Sequence, residues 1–180
     1  SGRVLTLQAE GKARLEQFMP QLLQACVESE DPDLTLTRVL PLVVAVVRRS
    51  AYLVLLLENP PALDELVVLC GASPWIADQL ARHPVLLDEL LDRASLYGAP
   101  DKAQVEDVLR QQVARLATDD LEAQMDAMRY FKDSQVLRVA ASDLAGRLPL
   151  MKVIDKLTWI AEVILTQVLA AAWADLTNKY

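Results

Sequence analysis

Few residues in this 180-residue chain carry side chains capable of chemistry, and their spacing decides what they could do. The single histidine, His83, stands directly before Pro84, with no cysteine or second histidine near it. A metal site needs several such donors converging, so capping or packing is the reading His83 supports. Asp88 and Asp92 are four apart, which on an α-helix puts both carboxylates on one face, as a metal site would. Nothing nearby supplies the remaining ligands, and a solvated face is the simpler account. Ser50 and the pair Ser142-Asp143 lack a histidine partner at any motif spacing, so nucleophilic catalysis has no support. Neither GxGxxG nor the P-loop pattern occurs, and no glycine-rich loop is available to cradle a phosphate. Trp75, Trp159 and Trp173 fall on apolar helical faces, and Met125 and Met128 belong to a helical stripe, the ordinary signature of core.

Composition narrows the function classes further. Lys plus Arg is 18 and Asp plus Glu is 25, a net charge of −7, which disfavours tracking a nucleic-acid backbone. The brief basic spots (Arg48 and Arg49; Arg147, Lys152 and Lys156) read as solvated helix ends. Cys26 and Cys70 have no CxxC spacing and lie inside apolar helical patterns, as reduced core thiols of a cytoplasmic protein would. The longest uninterrupted apolar runs, 39–47 and 51–57, fall well short of the roughly 20 residues that cross a bilayer, so no membrane span is expected.

The elements that would position these residues are all helical. Hydrophobic residues make up 53% of the chain and glycines number only five, a composition of helix formers with material for a sizeable core. Leu15, Phe18, Met19, Leu22, Leu23 and Cys26 form an amphipathic stripe in which Pro20 should kink or split the helix. Asp31-Pro32-Asp33 provides a break and a cap. The helix after it carries Pro41, and its LVVAVV end should be buried centrally. Ser50 caps a third helix, or the two run on through Arg48 and Arg49. Asn59-Pro60, Ser73-Pro74 and His83-Pro84 each read as a cap followed by proline at the first helical position, where its missing N–H costs nothing. Gly71 stands where a left-handed C-terminal residue belongs. Pro60-x-x-Leu-Asp-Glu-Leu recurs at Pro84, a shared helix-start idiom with acids in the first turn. Residues 93–100 are the best loop. Asp101 and Gln104 have capping-box spacing. Thr118 caps the next helix, whose stripe is Leu121, Met125, Met128 and Phe131. That helix pauses near Asp133-Ser134 and ends at Gly146 and Pro149. From Leu150 onward Val153, Leu157, Ile160, Ile164 and Val168 mark one uninterrupted helix of about 45 Å at ~1.5 Å per residue. The expectation is an all-α bundle of about seven to nine helices with a long C-terminal helix. Ser1-Gly2 looks like a remnant of cloning, and the ADLTNKY end carries no stop signal, which suggests an excerpt of a longer polypeptide.

Three blocks carry a family likeness: SAYLVLLLENPPALDELVVLCGASPWIADQLARHPVLLDELLD (50–92), FKDSQVLRVAASDLAGRLPL (131–150) and VIDKLTWIAEVILTQVLAAAW (153–173). In order, they resemble the central region of the bacterial glutamine synthetase adenylyltransferase family, whose members both attach and remove adenylyl groups. The likeness runs from about Leu15 onward and is most specific in ASPWIADQLARHPVLLDELLD. It implies two nucleotidyltransferase domains flanking a helical region, one removing AMP from a glutamine synthetase tyrosine and the other attaching it from ATP. In the family each catalytic domain carries a glycine-serine turn followed by an Asp-x-Asp pair for divalent metal. Neither stands here, since Ser142-Asp143-Leu144 has no second aspartate two positions after the first, so no catalytic, cofactor or metal residue carries over.

The resemblance therefore implies a non-catalytic regulatory linker that couples the PII signal protein and glutamine to the two opposed activities. ATP and Mg would serve the parent enzyme, and glutamine synthetase and the flanking domains would be its partners. The expected division is a helical linker domain at 1–148 and an exit helix at 149–180, packed on the same bundle. The expected interface residues are Trp75, Arg82, His83, Asp88, Asp92, Lys156 and Trp159. A passive spacer between the catalytic domains and a stand-alone helical interaction module are the alternatives.

Overall fold

The structure, a computed structural model, describes residues 9–47, 49–98, 100–117 and 120–179. Every regular element among them is helical: α1 (Ala9–Val27), α2 (Pro32–Val46), α3 (Ser50–Glu58), α4 (Pro60–Ala72), α5 (Pro74–Arg82), a 3₁₀ helix (Pro84–Leu90), α6 (Arg93–Leu96), α7 (Lys102–Val113), α8 (Leu121–Leu144) and α9 (Leu150–Lys179). The all-α expectation with a long last helix holds. The chain divides into two compact units between Arg93 and Ala94. Ser1-Gly2, Arg48, Thr118, Asp119 and Tyr180 lie outside the described residues.

The punctuation works as chemistry dictates at some helix starts and differently at others. Asp31 Oδ1 accepts from the Leu34 N–H at 3.0 Å, and Ser73 Oγ accepts from that of Ile76 at 3.3 Å. The capping box is complete: Asp101 Oδ1 accepts from Gln104 N–H and Gln104 Oε1 from Asp101 N–H, each at 2.9 Å. Asn59 departs from expectation. Its side-chain amide donates backward to the Leu55 carbonyl at 2.7 Å, closing α3 rather than capping α4. Ser50 is the first residue of α3 and not its cap, and α2 stops at Val46. α8 starts at Leu121 behind Asp120, which accepts from Ala123 N–H at 2.9 Å, and runs through Asp133-Ser134 without pause. Pro20 and Pro41 sit inside continuous helices. Both prolines are on exposed positions, where water can satisfy the carbonyl each leaves without a donor.

In the first unit α2 is the hub, packing against α1, α3, α4, α5 and the 3₁₀ helix. Its Val39, Leu42, Val43 and Val46 are buried, as are Leu66, Ile76, Leu80 and Leu87 of the elements around it. Gly71 does not end α4 in a left-handed turn. It is helical, and the positive-φ residue among those described is Gly146. A Cβ at Gly71 would lie 2.8 Å from Thr35 Oγ1 of α2, so glycine here sets how closely α2 and α4 approach. Arg38 of α2 donates to the Gly71 carbonyl, and Thr35 accepts from Ser29 Oγ at 3.2 Å. Glu65, which reads in sequence as a first-turn surface acid, is buried and holds Arg93 Nε at 2.7 Å. The Pro84 copy of the idiom forms a 3₁₀ helix, with Glu89 only half-buried.

In the second unit α7, α8 and α9 pack against one another. Val105, Leu109 and Val113 of α7, Met128 and Phe131 of α8, and Val163 and Ala171 of α9 form its core, with Met125, Ile164 and Val168 packed at the edge. Leu121, expected inward with its stripe, is exposed, and so is Leu157 of the α9 pattern. α8 ends in a Schellman turn: Gly146, at φ 65°, donates to the Asp143 carbonyl and Arg147 to that of Ser142, each at 2.9 Å. α9 then begins on the Pro149 carbonyl. Counting uninterrupted apolar runs overlooked α9. Its Leu150–Thr177 stretch is long and apolar enough to cross a membrane by length and composition, with a mean hydropathy of 1.5 over a window that is 17% buried. The burial of Ile160, Val163 and Ala171 against α7 and α8 accounts for part of that apolarity.

The Gly71 contact can be decided by its sign. Ala is the better helix former by about 1 kcal/mol, so Gly71→Ala would stabilise an open helix surface. Here overpacking against Thr35 is expected to dominate and lower stability by about 1–3 kcal/mol in urea denaturation. Adding Thr35→Ala should recover part of the loss, a non-additive pair.

Candidate functional site

The expected interface residues fall into two groups, one in each unit. In the first unit, Ser73 and Pro74 open α5 and turn Trp75 outward, 43% exposed, while Ile76, Ala77 and Leu80 face the core. Arg82 pairs with Asp78 one turn back, Nε to Oδ1 at 3.0 Å and Nη2 to Oδ2 at 2.9 Å, on an exposed face. His83 closes α5, its N–H donating to the Gln79 carbonyl at 2.8 Å, and its own carbonyl accepts from Leu86 N–H. Asp88 and Asp92 are exposed but do not share a helix face. Asp88 lies in the 3₁₀ helix, where residues three apart eclipse, and Asp92 lies beyond its end. No group of three or more metal-ligating side chains occurs among the described residues.

In the second unit, Lys156 and Trp159 come together with residues the sequence reading did not single out as a site. α8 and α9 form an antiparallel hairpin, and at its turn end a small cleft opens, with room for about one water. Gln135, Arg138, Val139 and Ser142 wall it from α8, and Lys156, Trp159 and Ile160 from α9. Gly98, Pro100, Val105 and Leu148 complete the lining. Lys156 is half-buried, not the solvated helix end its sequence context suggests. Its Nζ donates to the Pro100 carbonyl at 2.8 Å and stands 5.6 Å from the Trp159 ring centre. Burial, with Lys152 adding and Asp101 opposing, holds the Lys156 ammonium below the usual lysine range. Arg147 likewise stacks over the Tyr97 ring at 4.3 Å. Ser142 is 1% exposed, and its Oγ has no hydrogen-bond partner. The tryptophans divide by position: Trp159 is half-buried in the cleft, whereas Trp173, expected in a core, is 71% exposed.

The signal for this cleft was present in the helical register. Positions 128, 131, 135, 138 and 142 step by three and four along α8, the seam that packs on α9. The first two are Met and Phe; the last three are Gln, Arg and Ser. Polar side chains at seam positions mark where the packing opens.

Against this geometry the chain can be compared with known proteins. The family model for glutamate-ammonia ligase adenylyltransferase matches residues 63–180, and the chain belongs to that family. Among curated relatives it is 56% identical, over its whole length, to the bifunctional glutamine synthetase adenylyltransferase/adenylyl-removing enzyme of Pseudomonas putida. It is 56% identical over its whole length to the same-named protein of Hahella chejuensis, and 51% over 97% of its length to that of Thioalkalivibrio sulfidiphilus. The chain spans 18–19% of the length of these relatives.

The thiols behave as core groups. Cys26 and Cys70 are free and buried. Burial, reinforced by Cys26 and opposed by Arg38, pushes the Cys70 thiol up to about 12 from an ordinary 9.0. Burial also raises Cys26. Because the folded state holds this proton more tightly, the contribution to stability is fully present below about pH 9 and is lost as pH rises toward about 12. Under reducing conditions the urea midpoint is therefore expected to fall through that window, with a flatter slope in Cys70→Ala. Thiol labelling near pH 8 should proceed only as fast as the chain opens.

Proposed function

We propose that this chain is a non-catalytic regulatory segment of a glutamine synthetase adenylyltransferase, coupling PII and glutamine signals to nucleotidyltransferase domains on either side of it. Its family membership and the small fraction of each relative that it spans support the setting. The observation that carries the reading is α9. One side of this 30-residue helix lies in the core with α7 and α8. A second apolar stripe (Leu150, Ile154, Leu157, Leu165, Leu169 and Leu176) is exposed at steps that keep it on one outward face. An exposed apolar stripe of that length is the kind of surface another body covers. A helix held on two sides can be biased by both neighbours, which is what coupling between sites requires.

In this reading 149–180 serves as the exit helix toward the transferase domain and 1–148 as the linker domain. Trp75, Arg82, His83, Asp88, Asp92, Lys156 and Trp159 are contact points for neighbours. ATP and Mg serve the flanking catalytic domains, glutamine synthetase is the target, and the setting is cytoplasmic.

Hydrogen exchange on the full-length enzyme tests it. Amides of α9 and of 50–91 are expected to change protection when PII, in either modification state, or glutamine is added. Leu165→Glu with Leu169→Glu, both at exposed positions, should leave this chain's stability within about 0.5 kcal/mol while blunting the effector response of glutamine synthetase adenylylation severalfold. Unchanged exchange in both regions together with an unchanged response would leave a passive spacer as the correct account. Titrating the chain itself with PII, with and without glutamine, then separates direct binding from relayed coupling.

A further inference from the structure

The loop between α1 and α2 borders a groove that the regulatory reading does not use. The groove has a volume of about 480 Å³ and lies wholly within the first unit. Leu34 of α2 and Val67, Val68 and Ala72 of α4 give it an apolar floor, and Glu28, Glu30 and Asp31 form its rim. We propose that it receives a short basic amphipathic helix of a partner polypeptide. Apolar side chains of that helix lie against Leu34 and Val68, and its lysines or arginines meet Glu28 and Glu30.

The floor leaves apolar surface in water. Val68 is 61% exposed and Leu34 41%, although the helices that carry them bury their other faces in the core of the unit. Along α4, Asp64, Val68 and Ala72 recur at four-residue steps on one exposed face. That face is about 12 Å long at ~1.5 Å per residue, enough for two turns of a second helix laid beside it. The groove volume is in the range of binding pockets, and an amphipathic helix in an apolar groove is a recurring mode of recognition.

The charge on the rim is not all explained by the fold. Asp31 caps α2 and Asp33 lies in its first turn, where acids are favourable. Glu28 has the opposite setting. It directly follows the C-terminus of α1, the negative end of a helix dipole, and the last turn of α1 carries no basic residue. Neither Glu28 nor Glu30 forms an ion pair among the described residues, and no lysine or arginine lines the groove. Arg38, one turn beyond Leu34, donates to the Gly71 carbonyl. The loop itself is held in place. Ser29 Oγ donates to the Cys26 carbonyl at 2.6 Å, and Thr35 N–H donates to the Asp31 carbonyl at 2.9 Å. The acids are therefore presented at little ordering cost on binding.

These features select the occupant. A net charge of −7 and an acidic rim disfavour a second copy of this chain, an anionic membrane surface or a nucleic acid. A free cation would leave Leu34 and Val68 in water. A basic amphipathic helix satisfies both parts, with charge steering the encounter and apolar contact holding it.

The probe is a fluorescein-labelled peptide of about twelve residues, with leucines at i, i+3, i+4 and i+7 and lysines flanking that stripe. It is titrated into the 180-residue chain and followed by anisotropy, with backbone amide shifts to locate it. Binding is expected to saturate with a Kd on the order of 0.1 mM, moving amides of 28–35 and 67–72. Exchanging the leucines of the peptide for serine, or its lysines for glutamate, should weaken it at least about tenfold. On the protein, Val68→Ser should weaken binding about fivefold or more. Glu28→Gln with Glu30→Gln should do the same and flatten the salt dependence. Leu169→Ser, at an exposed position of α9, should leave binding unchanged. Because Glu28 opposes the α1 dipole, the urea midpoint of Glu28→Gln is expected to equal or exceed that of the parent chain. Four results would each overturn the assignment. They are a serine peptide that binds as tightly as the leucine one, amide shifts centred on α9, binding indifferent to both groove variants, and a Glu28→Gln chain that loses stability, which would show that the glutamate serves the fold.

Discussion

The space for one methyl group decides how the first unit is built. α2 lies at the centre of five other helical elements, and the approach of α4 to it is set where Gly71 leaves room for Thr35. The same glycine offers its carbonyl to Arg38, so the α2 surface meets α4 through a hydroxyl at one point and a guanidinium at another. Around this contact the core is aliphatic and dense, and a side chain there would be felt through the whole packed layer. Glu65 ties the same helix to Arg93 at the end of the unit; a buried carboxylate left alone would be costly, so the pair fixes where the end of the first unit must sit. Proline-opened helices then follow from necessity. Short helices packed around a central one need abrupt ends, and each Pro after an Asp, Asn, Ser or His supplies one without spending a backbone donor.

The second unit solves a different problem. Three helices of 12, 24 and 30 residues cannot bury every apolar residue they carry, and α9 has apolar side chains on two faces. The face toward α7 and α8 is satisfied over its middle by Val163 and Ala171. Toward the hairpin turn, the α8 seam changes from Met and Phe to Gln, Arg and Ser, and the helices enclose a charged cleft instead of a core. The switch along one helix face separates the part of the hairpin packed as a core from the part that lines the cleft.

Helix existence was legible in the sequence nearly throughout, because caps, prolines and three-four spacing are local and strong. The capping box at Asp101 and the Schellman glycine at Gly146 are sequence statements made good by hydrogen bonds. What failed were inferences needing a neighbour. Gly71 looks the same whether it ends a helix or makes room for another, and only the position of Thr35 distinguishes them. Leu-Asp-Glu-Leu forms an α-helical turn after Pro60 and a 3₁₀ turn after Pro84, with the first glutamate buried and the second not. Trp173 and Leu157 match a core pattern, yet α9 has more apolar faces than its unit can cover. The cleft went unseen because its residues belong to no motif. Its trace was the wrong residue type at the right spacing, which needs the α8–α9 pairing before it becomes a signal.

That distinction bears on how a stretch without a recognisable catalytic motif can matter to an enzyme family. Function in such a segment has to reside in surfaces left incomplete by its own fold, because complete cores have nothing to offer a neighbour. Two such surfaces are present in the second unit: the outward stripe of α9, apolar and elongated, and the cleft beside Lys156, cationic and small. Their chemistries differ: the first offers extended apolar contact, and the second offers polar groups around a space of about one water. Both are built on the same helix, α9, so a change in the contacts of either one bears on the element that presents the other. Thermodynamic linkage makes that influence reciprocal wherever the two states of the helix differ in their contacts to each occupant. A rigid, continuous helix of about 45 Å at ~1.5 Å per residue is well suited to the task, since a shift at its first turns cannot be absorbed locally without breaking backbone hydrogen bonds.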